Sequence, residues 1–145
     1  EQQGEPGQAL DTLRRLVREL PMDSEVLAQA QALRTELLAA QGERLRQLQQ
    51  DLDEAEFFDT RGGFERVVRG VDDVVARFGE NNLEDAAGTM ALRERASTRL
   101  TAIDAADQEA RRQRLDELAK VFAAGEQGGL AQAVENYVKQ HLDRK

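Results

Sequence analysis

The amino-acid sequence predicts an all-α fold of stacked antiparallel helices in the order short, long, short, long, short. Three observations carry that prediction. Apolar residues recur at intervals of three and four along nearly the whole chain, which is the period of one helix face. Beyond the first seven residues, breaks between the stripes fall around Pro21, Arg61-Gly62-Gly63, Gly79 to Asn82 and Gly125 to Gly129. The segments between these breaks also resemble one another.

Taken in order, Glu1 to Gly7 is polar, holds both Gly and Pro, and reads as a linker, leaving 8–145 as a single helical domain. Leu10, Leu13, Leu16, Val17 and Leu20 form the stripe of a first helix, ended by Pro21. Asp23 or Ser24 can cap the second by accepting hydrogen bonds from its free first-turn amides. Its stripe runs through Val26, Ala30, Leu33, Leu37, Leu45, Leu48, Leu52 and Ala55 to about Asp59. A lone glycine, Gly42, costs a helix only ~1 kcal/mol, so one long helix is favoured over two meeting at Gln41–Gly42.

Thr60 to Gly63 reads as a turn. The next stripe is Phe64, Val67, Val68, Val71, Val74, Val75 and Phe78. So many valines would suit a strand by propensity, but their spacing is helical rather than alternating. Asn82 is placed to cap a fourth helix, with Glu84 and Asp85 favourable against its N-terminal dipole. That helix shows Leu83, Ala87, Met90, Leu100 and Ile103, then Ala106, Ala110, Leu118, Val121 and Phe122, and Asp104 offers a break. After a Gly-rich loop, Leu130, Ala133, Val134, Tyr137, Val138 and Leu142 mark the last helix.

Gly62-Gly63-Phe64 and Gly128-Gly129-Leu130 match at an offset of 66, each behind an apolar helix end. Ala32 to Glu36 and Ala91 to Arg95 lie at matching places further upstream. Self-similar helical units bury their apolar faces against neighbours rather than alone. For helix 64–78, the gain from burying seven apolar side chains is of the same order as the entropy cost of ordering it. A lone hairpin would therefore be marginal.

Leu45 to Leu100 resembles a degenerate tetratricopeptide-type helical hairpin followed by the first helix of the next. The likeness lies in an apolar helix, the Arg61-Gly62-Gly63 turn, a second helix, and Gly79-Glu80-Asn81-Asn82 before an Ala/Leu/Arg-rich helix; Leu115 to Leu142 repeats its first half. The chain has no Trp, and Gly79 stands where the family usually has proline. The resemblance implies an α-solenoid fragment of a bacterial signalling or secretion protein. It also implies a non-catalytic scaffold or adaptor function, with another protein or peptide as partner.

An alternative architecture follows from the two long stripes, of about 36 and 43 residues. An elongated bundle of roughly 55–65 Å, as in extracytoplasmic sensor domains, would bind a small ligand and dimerise. Leu-rich seams also leave a homodimer open.

Composition narrows the function classes. The net charge is −8, and acids surround the clusters Arg14, Arg15, Arg18 and Arg111, Arg112, Arg114, which argues against nucleic acid. Leu, Ile, Val and Phe make about 23 % of the chain, a little above the ~20 % level below which chains tend to stay unfolded. There is no Cys, so disulfides and thiolate chemistry are excluded, while cytoplasm and periplasm stay equally open. No apolar run approaches the ~20 residues of a membrane span. Glu1 in place of Met suggests a fragment or a processed chain.

No catalytic, cofactor or metal residue is expected. His141, the one histidine, falls near the end of the last helix, where it complements the dipole. A Ser/His/Asp set would have to join Ser24 or Ser97 to it, and nothing in the spacing does so. The acidic run Asp51, Asp53, Glu54, Glu56, Asp59 is interleaved with Leu52 and Ala55 and reads as a solvated helix face, not a calcium loop. Phe57 and Phe58 point about 100° apart on their helix. One is expected in the core and the other against the following short helix or a partner.

Overall fold

A computed structural model describes residues 5–124 and 127–142, with side chains described over 5–124 and 132–141. Among the described residues there are five α-helices and no strand: α1 (Pro6–Glu19), α2 (Glu25–Phe58), α3 (Arg61–Phe78), α4 (Ala86–Ala123) and α5 (Gln127–Leu142). A 3₁₀ turn, Glu80–Asn82, precedes α4. The all-helical class and the short-long-short-long-short order are therefore as the apolar periodicity predicts.

The helix ends differ from expectation in instructive ways. α1 begins at Pro6, inside the segment read as linker. Proline's fixed φ suits the first helical position, and Gly7 packs so closely on α3 that a Cβ there would meet the Phe78 carbonyl oxygen at 2.6 Å. Gly62 and Gly63 are not a turn but the first turn of α3, with Thr60 at the N-cap position. A Cβ at Gly63 would lie 2.6 Å from the Ala55 Cβ, and one at Gly70 would fall inside the Leu48 side chain. Leu48 and Ala55 are seven residues apart on α2, as Gly63 and Gly70 are on α3, so each pair lies on one face of its helix and lets the two backbones approach.

α2 runs unbroken through exposed Gly42, and α4 through Asp104. In the first half of α2 Ala30 is buried as the stripe predicts, but Leu27 is buried in place of Val26, and Leu33 is exposed. The chain divides into two packed units, Glu1–Thr101 and Ala102–Lys145. The core of the first joins Leu10, Leu48, Val71, Val74 and Phe78, with Leu37, Leu45, Leu83 and Leu92 packed against it. Phe64, Val67 and Leu52 are fully buried in the same unit.

The first half of α4 covers this core with small residues, Thr89 and Ala96, again seven apart. Met90, read as core, is exposed instead. Charge then fixes the helix. Arg93 pairs with Asp72 at 2.7 Å, Arg95 with Glu56 at 2.6 Å and Arg99 with Asp59 at 2.6 Å. The Arg99 guanidinium also lies 5.8 Å from the centre of the Phe64 ring.

Candidate protein-docking surface

Polar groups converge in the first unit, around Asn82. This residue does not cap α4; Asp85 does, accepting from the Gly88 amide at 2.8 Å. Asn82 turns inward and donates to the Phe78 carbonyl at 2.9 Å and the Asp11 carboxylate at 3.0 Å. Its side-chain oxygen accepts from Arg14. Gln41, fully buried in α2, donates to the Asn82 carbonyl at 3.0 Å and accepts from the Glu84 amide at 2.9 Å. No buried side-chain nitrogen or oxygen among the described residues is left without a partner. This amide network fastens α1, α2, α3 and the approach to α4.

The second unit is built differently. Among its described residues not one is buried. Leu115 is 62 % exposed and Phe122 59 %, with Val134 and Val138 also exposed. Between α4 and α5 lies an open groove of about 580 Å³. Leu118, Val121, Ala133 and Tyr137 supply its apolar lining, and Arg114, Glu117, Asn136, Gln140 and His141 its polar lining.

Helical geometry places the exposed apolar residues. At 100° per residue, Leu115 and Phe122 stand about 100° from the line of Arg114, Glu117 and Val121. Val134 and Val138 stand about as far, in the same sense, from the groove-lining side of α5. In an antiparallel pair equal offsets fall on the same side, so these four flank the groove as one apolar strip. A hairpin with an open seam and an apolar flank can bind another apolar surface.

The residues singled out from the sequence fall as follows. His141 lies in the last turn of α5, edge-on to Tyr137 with ring centres 4.4 Å apart. Ser24 stands at the N-cap position of α2 and Ser97 on α4, both in the first unit. The acidic run lies on α2 and its C-cap, where Glu56 and Asp59 grip α4 and Asp53 accepts from Gln49. Among the described residues no group of His, Cys, Asp or Glu is arranged to hold a metal ion. No helix there is long and apolar enough to cross a membrane. Neither Phe57 nor Phe58 is core: they are 82 % and 64 % exposed and meet edge to face at 4.9 Å. The Gly125–Gly129 loop lies partly outside the described residues, and Gly128 and Gly129 stand in the first turn of α5.

The Arg46 guanidinium, by hydrogen bond and charge, holds the Glu43 carboxyl below its ordinary range, and Asp72 raises Arg93 by the same means. The exposed apolar strip was not legible in the sequence. Its residues share the helical period of the core and differ only in having nothing packed on them.

No family model, curated protein or solved structure matches the chain.

Proposed function

We propose that the chain is a non-catalytic protein–protein interaction module, a scaffold or adaptor segment of a larger bacterial protein, that docks its partner on the α4–α5 hairpin. The observation that carries this reading is the second unit's apolar strip and open groove, with no buried side chain among its described residues. Hydrophobic burial is the main source of stability, so such a unit gains most by being covered. The repeat-like reading draws support from the two helix starts. α3 opens Arg61-Gly62-Gly63 and α5 opens Gln127-Gly128-Gly129, each directly after a long helix.

The test is photo-crosslinking in the native cells, with a photoreactive residue at Leu115 or Phe122 and, as control, at exposed Asp23. Discrete protein adducts are expected at the first two positions and not at the third. Equal or absent labelling at all three would sink the reading. A second reading, a sensor that binds a small ligand, is favoured by the groove volume, which lies within the ~300–1,000 Å³ typical of ligand pockets. A metabolite screen by thermal shift tests it, and a hit abolished by Tyr137→Ala would support it.

A further inference from the structure

We propose that the first unit carries a docking site of its own, on the outward face of the last turns of α2, and that its occupant is a basic, amphipathic segment of another protein. Two phenylalanines mark the place. Phe57 and Phe58 are both exposed and lie edge to face. They stand within two turns of buried Leu52 and Ala55, on a helix anchored in the core rather than at a loose end. Two rings left in water forgo a hydrophobic gain that a covering partner restores.

The charges beside the rings select the partner. At 100° per residue, Asp53, Phe57, Glu54 and Phe58 share an arc of about 140° on the side of α2 away from Leu48, Leu52 and Ala55, and Asp51 borders it. Asp51, Asp53 and Glu54 have no ion-pair partner among the described residues; Asp53 accepts only from the neutral Gln49 amide, at 2.8 Å. The bases nearby are already engaged. Arg95 and Arg99 hold Glu56 and Asp59, Arg61 holds Glu65, and Arg46, earlier on the same face, holds Glu43. Three carboxylates beside two rings thus have no local cation. A guanidinium or ammonium can lie over a ring face while reaching a carboxylate, and apolar groups next to it would cover the rest of the rings. The same charges disfavour other occupants. A second copy meeting this face across a two-fold axis would set like acids against each other, and phosphate-bearing surfaces would be repelled. This site lies outside the α4–α5 hairpin and stands or falls without it.

The test is selection of a random-peptide display library on the full 145-residue chain, with counter-selection on the F57A/F58A variant. The recovered peptides are expected to carry net positive charge, with Arg or Lys beside apolar residues. By fluorescence anisotropy, such a peptide should bind F57A/F58A about tenfold more weakly and Asp53→Asn/Glu54→Gln about fivefold more weakly. Glu19→Gln/Glu36→Gln changes the net charge equally at exposed positions away from the rings and should bind as the natural chain does, as should Leu115→Ser/Phe122→Ser. Helicity by circular dichroism should be unchanged in all four. The proposal is overturned if no peptide survives counter-selection, or if the survivors are neutral or acidic. It is overturned equally if both charge variants weaken binding alike, which would mean bulk attraction only, or if the hairpin variant abolishes binding. Self-association of the chain that F57A/F58A dissolves, read by sedimentation equilibrium, would place a second copy on the rings and also overturn it.

Discussion

Asn82 is the residue on which the first unit turns. Its amide reaches α1 through Asp11 and Arg14, and α3 through Phe78, while its backbone carbonyl meets Gln41 of α2. Asn82→Ala would leave the Phe78 carbonyl and the Arg14 guanidinium short of partners, and a loss of about 2 kcal/mol is expected by urea denaturation. Gln41→Leu should cost a similar amount, because the Asn82 carbonyl and Glu84 amide would then be unpaired. The surface pair of Glu43 and Arg46 should behave differently. The Glu43 pKa is lowered in the fold, so its stabilising contribution is present above the ordinary glutamate range and is lost as pH falls through the lowered value. An NMR titration should find Glu43 below that range and restored to it by Arg46→Ala, with little change in stability since the pair is exposed. A polar sequence such as Glu80-Asn81-Asn82 announces a turn; that one amide faces inward depends on the carbonyls waiting there.

At the scale of the helix, the glycines separate by what they touch. Gly42 lies in an exposed stretch of α2 with nothing within 4 Å of an added Cβ, so Gly42→Ala should stabilise by up to about 1 kcal/mol. Gly70 offers the same gain in propensity, but its Cβ would overlap Leu48. Gly70→Ala should therefore destabilise, and it should cost less in a Leu48→Ala background, where the side chain it meets is gone. Thermal melts of the two glycine variants, of Leu48→Ala and of the double variant decide this, and equal behaviour at the two glycines would contradict the close approach of α2 and α3. The apolar stripes fixed which segments are helical, because a period near 3.6 is a local property. The contact of Ala55 with Gly63 and of Leu48 with Gly70 left a trace in the spacing of the two glycines, but the sequence reading took the first of them for a turn.

At the scale of the molecule, the two units differ in what holds them. The first encloses Leu10, Leu48, Phe64, Val71 and Phe78, whereas the second has no buried side chain among its described residues. Hydrogen exchange should show it: amides of α3 slow, those of residues 110–123 and 132–141 faster by several orders of magnitude when the chain is dilute. Uniform protection across both units in dilute solution would contradict the absence of a core in the second.

The sequence by itself determined the helical class, the order of helix lengths and the absence of cysteine chemistry, because these follow from local periodicity, punctuation and composition. Tertiary structure decided the rest. Whether Leu27 or Val26 is buried, whether Asn82 caps a helix or joins a network, and whether Met90 or Thr89 faces the core are choices among positions 100° or less apart on a helix or within one turn. The deciding energies belong to neighbours distant in the chain. The same reason hides the open groove of the second unit: Leu118 and Val121 have the spacing of core residues, and only the three-dimensional packing shows that nothing in their own unit buries them.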